Sequence, residues 1–302
     1  RNLSRLQYLS LAGCSSLTFS SIHWNIRMLN FRPSNCRRME TLPLQVTVQR
    51  YLKELNLKDT SITELPIAIG NLGNLEILRL QCRSLEMLPL GGLSSLRELT
   101  LQFCDKLRQL PESVGELTHL TTLIIHYAQI KYLPAAVMRL NNLEILKVRG
   151  CPLLEVPFNP RDSSIDKICM VGLRQMDLQV TRLKELSFCK GVCPNLQRLN
   201  VSYCHELVVV GALPTSLISL DLQECRALKE ILGLSGLQQL RLLDISGCDK
   251  IEEMPGVDTL GSLIHLRADG CNKVDRVEKI GLKIKRISRD SCDVSSGKKL
   301  RQ

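Results

Sequence analysis

Cysteine and histidine have the widest chemical reach of any side chains here, and the chain carries thirteen cysteines and five histidines. A cysteine can act as a thiolate nucleophile, a metal ligand or half of a disulfide, and a histidine moves protons near neutral pH. Each of these uses requires clustering, with a base beside the nucleophile or several ligands around the metal. His23, His119, His126, His205 and His265 are scattered, with no recurring carboxylate, serine or cysteine partner. Cys189-Lys190-Gly191-Val192-Cys193, with Cys169 upstream, has no histidine cluster, and its C-x3-C spacing is not a zinc knuckle. Ser296-Gly297-Lys298 lacks the first glycine and the preceding strand of a phosphate-binding loop. No G-x-G-x-x-G follows a strand, and neither H-E-x-x-H nor G-x-S-x-G occurs. The sequence therefore offers no catalytic, cofactor-binding or metal-ligating set, and an enzyme is not expected.

Ten of the cysteines do share something else, which is position. Cys14, Cys36, Cys82, Cys104, Cys151, Cys204, Cys225, Cys248, Cys271 and Cys292 recur just past a short alternating apolar stretch. Thr60 and Ala128 hold the same place in two further copies. The slot thus wants a small, buried, weakly polar side chain, expected to face the backbone amides of a turn. An odd total and strict periodicity point to reduced structural thiols rather than to a disulfide framework.

The elements that position these residues are repeats. In Leu96–Pro157 one phrase occurs three times: L-x-x-L-x-L-x-x-C, then L-x-x-L-P with small slips. A period in the twenties with L-x-L at its centre is the signature of leucine-rich repeats. The first strand leucines are placed at Leu9, Leu29, Leu55, Leu78, Leu99, Leu123, Leu146, Ile168, Leu199, Leu220, Leu243, Leu266 and Ile287. The expected fold is an α/β leucine-rich-repeat solenoid, a curved horseshoe with short parallel strands on its concave side. Turns and short helices return on the convex side. Leu-Pro punctuates that return at Pro43, Pro66, Pro89, Pro111, Pro134 and Pro157, where a fixed φ suits the first turn of a helix.

The organisation expected is L-x-x-L-P repeats over 1–157, an irregular repeat or bend over 158–195 with Arg182 to Phe188 helical, and Cys-ladder repeats over 196–292. A basic tail over 293–302 follows. The chain begins inside a repeat with no capping unit, as expected of a piece cut from a larger protein. No apolar run approaches the length of a membrane span. The net charge of +10 is concentrated: from Lys273 onward ten Lys/Arg face four Asp/Glu, which reads as a solvated tail rather than a nucleic-acid stripe.

In such a solenoid the variable positions around L-x-L project from the concave sheet and are read in columns. The central column runs Asn56, Arg79, Thr100, Ile124, Lys147, then Asn200, Asp221, Asp244 and Arg267, and the column before the Cys slot holds Phe103, Tyr127, Tyr203 and Glu224. Phe103 and Tyr127 beside Ile124, His126, Lys147 and Arg149 make an amphipathic patch suited to anchoring a protein partner. Asp221, Glu224 and Asp244 form a separate acidic patch. The candidate partner-binding residues are therefore Arg79, Phe103, Ile124, His126, Tyr127, Lys147, Arg149, Tyr203, Asp221, Glu224 and Asp244.

Leu107 to Leu117 (L-R-Q-L-P-E-S-V-G-E-L), Leu55 to Ile62 and Leu243 to Cys248 resemble the repeat region of plant intracellular nucleotide-binding leucine-rich-repeat disease-resistance proteins. The resemblance covers nearly the whole chain and leans to the class with an N-terminal TIR domain. It implies a sensor that contacts a pathogen effector or a guarded host protein and restrains an intramolecular nucleotide-binding domain, in the cytoplasm or nucleus. ADP or ATP would bind that upstream domain, with no cofactor in these residues. The alternative is the substrate-recognition repeats of an F-box-type ubiquitin ligase, which share the Cys slot but continue differently after it.

Overall fold

The computed structural model describes residues 6–14, 27–154, 170–188, 191–252 and 254–271. Alternating apolar positions give short strands, each with one buried face. In chain order they are β1 (Tyr8–Ser10), β2 (Asn30–Arg32), β3 (Glu54–Lys58), β4 (Ile77–Gln81), β5 (Glu98–Gln102), β6 (Thr122–His126), β7 (Ile145–Arg149) and β8 (Gln175–Asp177). Then come β9 (Glu185–Ser187), β10 (Arg198–Asn200), β11 (Val209–Gly211), β12 (Ser219–Asp221), β13 (Glu230–Ile231), β14 (Leu242–Asp244) and β15 (His265–Arg267). Twelve of them form one parallel sheet in the order β1-β2-β3-β4-β5-β6-β7-β8-β10-β12-β14-β15. This is the leucine-rich-repeat solenoid, its sheet lining the concave side. Leu55, Leu78, Leu99, Leu123 and Leu146 stand in one row of partners, all buried, and each contributes roughly 1.5–3 kcal/mol by leaving water.

The row corrects two expected strand positions. Leu9 pairs with Phe31, and Phe31 with Leu55, so Phe31 rather than Leu29 is the strand residue of its repeat. Met28 and Phe31 are fully buried, as Leu52 and Leu55 are one repeat on, so a Met/Phe pair fills the places that a search for leucines assigned elsewhere. Likewise Leu146 and Leu199 both pair with Met176, flanked by buried Leu173, while Ile168 lies outside the described residues. Pairing of β8 with both β7 and β10 carries the sheet across the long interval in register. Residues 170–188 thus form an ordinary turn of the array where an irregular one was expected.

The return path differs between the two ends. Pro66, Pro111 and Pro134 hold φ at −64°, −71° and −64° and open 3₁₀ turns at Ile67–Asn71, Glu112–Glu116 and Ala135–Arg139. Pro43 opens α1 (Leu44–Thr47), the one α-helix among the described residues. These turns pack closely: a Cβ on Gly70 would lie 2.2 Å from the Gly91 carbonyl oxygen, and one on Gly115 would lie 2.9 Å from Ala136. Beyond the Leu-Pro series, β9, β11 and β13 make a second parallel sheet, and 3₁₀ turns at Leu234–Gly236 and Val257–Thr259 open from Gly233 and Gly256 rather than from proline. The helix expected over Arg182 to Phe188 is therefore strand β9. Leu186 and Phe188 bury alternate positions, a period of two, with no proline to start a helical turn. The isolated bridges Thr41–Glu64 and Glu64–Met87 show the same ladder in outline near the N-terminal end.

Candidate partner-binding face

The cysteine slot faces carbonyls, not amides. Thiols of Cys82, Cys204, Cys225, Cys248 and Cys271 donate to the carbonyl oxygens of Leu57, Leu178, Val201, Leu222 and Ile245 in the preceding repeat, at 2.9–3.3 Å. Thr60 and Thr181 donate from the same slot to Leu57 and Leu178 at 3.1 and 2.9 Å. A donor in the slot meets a strand-end carbonyl inside the core, where an unmet acceptor is expensive, although buried Ala128 fills the place in one repeat without one. Burial pushes the thiols of Cys104 and Cys271 up to about 12 and that of Cys151 to about 11, which keeps the donating proton in place. Cys14, Cys36, Cys82, Cys104, Cys151, Cys204, Cys225, Cys248 and Cys271 are free thiols. Cys169, Cys189 and Cys292 lie outside the described residues, and Cys193 is buried. Among the described residues no group of His, Cys, Asp and Glu could hold a metal.

Immediately before this slot the backbone turns left-handed. Gly13, Asn35, Asp59, Gly150, Gly247 and Gly270 have φ of 76°, 61°, 55°, 65°, 75° and 75°, as residues tolerant of that region should. The same place is taken by Phe103 (48°), Tyr127 (53°), Val180 (56°), Tyr203 (61°) and Glu224 (60°). The turn lets each of these residues donate its amide to the next repeat: Phe103 to the His126 carbonyl at 2.9 Å, Tyr127 to Arg149 at 2.8 Å and Tyr203 to Gln223 at 2.7 Å. For a bulky L-residue this backbone costs roughly 1–2 kcal/mol relative to glycine. The sequence reading singled out Phe103, Tyr127, Tyr203 and Glu224 as a column but missed its strain. The signal was legible in the glycine, asparagine and aspartate that alternate with them.

The aromatics use the turn to lie along the array. Phe103 and Tyr127 stack with centroids 4.9 Å apart and planes 10° from parallel. The Arg83 guanidinium sits 5.6 Å from the Phe103 centroid, on the one repeat that is a residue short here, where Gln81 directly precedes Cys82. At the other end the Tyr127 ring covers Gly150, whose Cβ would fall 2.5 Å from it. Tyr127 is nevertheless 46% exposed, and Tyr203, edge-on to His205, is 40% exposed. These rings reach solvent rather than the core.

The remaining candidates separate by charge and by how fully they are engaged. Arg79 is held within the sheet, paired with Glu98 at 2.8 Å and Glu54 at 2.9 Å, and Glu54 also meets Arg32 at 2.6 Å. Ile124 and Lys147 are register partners, as are His126 and Arg149, so the four sit together beside the aromatic stack. Arg149 bonds Gln179, and Lys147 carries no ion pair among the described residues. Burial first, then the neighbouring Arg149, lowers the His126 pKa and favours the neutral ring. From β8 onward the central column turns acidic: Asp177, Asn200, Asp221 and Asp244 are successive partners. Each accepts the backbone amide two residues on at 2.9–3.1 Å, so these side chains also close turns. Burial, with Asp244 and Asp177 alongside, raises the pKa of Asp221. Asp244 is 7% exposed, with Arg267 at 3.8 Å.

No family model matches the chain. Among curated proteins it is similar to disease resistance protein RPS4B of Arabidopsis thaliana, 29% identical over 230 residues and 75% of this chain. SUPPRESSOR OF npr1-1, CONSTITUTIVE 1 of the same plant is 33% identical over 57% of the chain, and TMV resistance protein N of Nicotiana glutinosa 28% over 53%. The chain is a leucine-rich-repeat array homologous to plant disease-resistance proteins. It spans only 16%, 12% and 15% of those three relatives. Among solved structures, the leucine-rich repeat domain of the type III effector XopL aligns over 76% of this chain and 73% of its own, with TM-score 0.50 and 22% identity. A Toll chain of the Drosophila Toll–Spatzle complex aligns over 81% of this chain and 38% of its own, with TM-score 0.54 and 18% identity. These two likenesses concern the fold. The F-box alternative finds no support in the comparisons. Among the described residues no helix is long and apolar enough to cross a membrane.

Proposed function

We propose that this array is the sensing region of an intracellular plant immune receptor, one leaning to the TIR class, and that its concave face binds a protein ligand. The ligand is a pathogen effector or a guarded host protein. In its absence the array restrains the receptor's nucleotide-binding domain, and the ligand releases that restraint by favouring the freed state over the docked one. The observation that carries the recognition half is the Phe103–Tyr127 stack, with Tyr127 exposed and Phe103 half-buried behind it, kept on a backbone that glycine would adopt at less cost. Exposed aromatics with charged neighbours are the composition of protein-binding hot spots. Similarity to disease-resistance proteins supports this reading, in which the receptor acts in the cytoplasm or nucleus.

Two experiments test it. Replacing Phe103 and Tyr127 by alanine should abolish ligand-triggered signalling without loss of the folded protein, and unchanged signalling would remove this face from recognition. Expressing the array in trans with the receptor's nucleotide-binding portion should give a co-purifying complex and lower signalling. Failure to associate would remove the restraint.

A further inference from the structure

The concave face changes sign along its length. Around β6 and β7 it presents the aromatic stack with His126, Lys147 and Arg149, whereas on β8, β12 and β14 the same central column presents Asp177, Asp221 and Asp244. Lys147 and Asp177 are register partners, so the change happens within one strand spacing. A uniformly acidic ligand would suit the first region and be repelled by the second; a uniformly basic one would meet the reverse. Three strand steps separate β7 from β12, about 14 Å at about 4.8 Å each, which an extended chain covers in about four residues.

Resting on the recognition reading above, we propose that this face takes an extended segment of a protein partner whose own charge is segregated. One end carries an aromatic or long apolar side chain flanked by carboxylates. That side chain packs against the exposed edge of the Tyr127 ring, and its carboxylates meet Lys147 and Arg149. A lysine or arginine some four to six residues along reaches Asp221 and the neighbouring Glu224. Three features select this occupant over a neutral apolar one. Tyr127 offers an exposed ring edge, Lys147 has no ion pair among the described residues, and Asp221 lies beside the Asp244 carboxylate with one neutral side chain, Asn200, donating to it at 3.2 Å.

The test uses the 302-residue chain and two synthetic peptides of equal composition, about twelve residues long. One has a Glu-Trp-Glu-Asp block followed by a lysine block, and in the other the same charges alternate. Fluorescence anisotropy should show the segregated peptide binding about tenfold more tightly than the alternating one, with an advantage that shrinks as salt is raised. Lys147→Glu and, separately, Asp221→Lys should each reduce that preference about threefold or more. Circular dichroism on each variant establishes that the array remains folded. Equal affinity for both peptides, or no binding of either, overturns the proposal. If both bind equally and Tyr127→Gly still abolishes binding, charge segregation is refuted and the recognition face survives. If binding is indifferent to Tyr127→Gly, both fall.

Discussion

The two ends of this solenoid solve the same problem differently. From β3 to β7 the strands are five residues long and proline-started turns pack behind them; from β8 onward the concave strands shorten to three residues, and a second parallel sheet with glycine-started turns forms the back. The central column differs in step. Arg79, Thr100, Ile124 and Lys147 leave the backbone alone, whereas Asp177, Asn200, Asp221 and Asp244 each capture the amide two residues on, which competes with continuing the strand. Asn56 does the same at 3.2 Å within a five-residue strand, so a single such residue is not sufficient, and the uninterrupted run is what distinguishes the C-terminal part. From β8 to β14 the short strands thus coincide with column side chains that close turns, half-buried at Asp177, Asn200 and Asp221 and buried at Asp244.

The sharpest way to break this comparison is at the back of the array. Gly70→Ala places a methyl group 2.2 Å from a backbone oxygen, whereas Gly211→Ala, in the second sheet, meets only the flexible Leu232 side chain at 3.5 Å. The first should destabilise by about 1–3 kcal/mol or more and the second by well under that, read from urea midpoints. Similar losses at both sites would mean that the two backs are packed alike.

Next in size is the loss of a turn-closing carboxylate. Asp244→Ala leaves the Ser246 amide without its partner in a buried place and should cost about 1–3 kcal/mol. Thr100→Ala, in the equivalent column of β5, should cost appreciably less, because its hydroxyl bonds only Glu98, at 3.2 Å. Asp244→Asn keeps the acceptor and should recover most of the loss.

Alkaline titration addresses what the two ends share. Buried thiols whose native pKa values are raised hold protons that the unfolded chain releases, so their stabilisation is complete below about 9 and declines as pH rises toward about 11–12. Unfolding midpoints should therefore fall over that interval, and Cys104→Ala with Cys271→Ala should flatten the fall. A midpoint independent of pH across it would mean that the thiols do not hold their protons.

The smallest effect expected is a gain. Tyr203→Gly removes a left-handed tyrosine whose ring is 40% exposed and edge-on to His205, and should stabilise by up to about 1 kcal/mol.

These effects also mark where the sequence could be read and where it could not. Most strand positions between Leu55 and Leu266 and the column of Phe103, Tyr127, Tyr203 and Glu224 were legible, because a fixed period carries position along the chain. Phe31 and Met176 were missed because the template looked for leucine, whereas the core selects only a buried apolar side chain of sufficient size. Strand β9 was missed because buried alternation over so few residues resembles one face of a helical turn until its pairing partners are known. The carbonyl acceptors of the cysteines lie in the preceding repeat, a contact that no local pattern encodes. Arg79 looked available as a single letter and proved to be engaged with Glu54 and Glu98 on the two flanking strands.

The central claim is that the aromatics of this face are kept for a partner rather than for the fold, and one paired measurement tests it most directly. For Phe103→Gly/Tyr127→Gly, the thermal midpoint and the affinity for the charge-segregated peptide are taken on the same preparation. Relief of backbone strain, roughly 1–2 kcal/mol per residue, should match or exceed the stacking lost, about 0.5–1.5 kcal/mol. The account predicts a midpoint unchanged or higher with binding lost. A midpoint that falls while binding persists would make the stack part of the scaffold and contradict it.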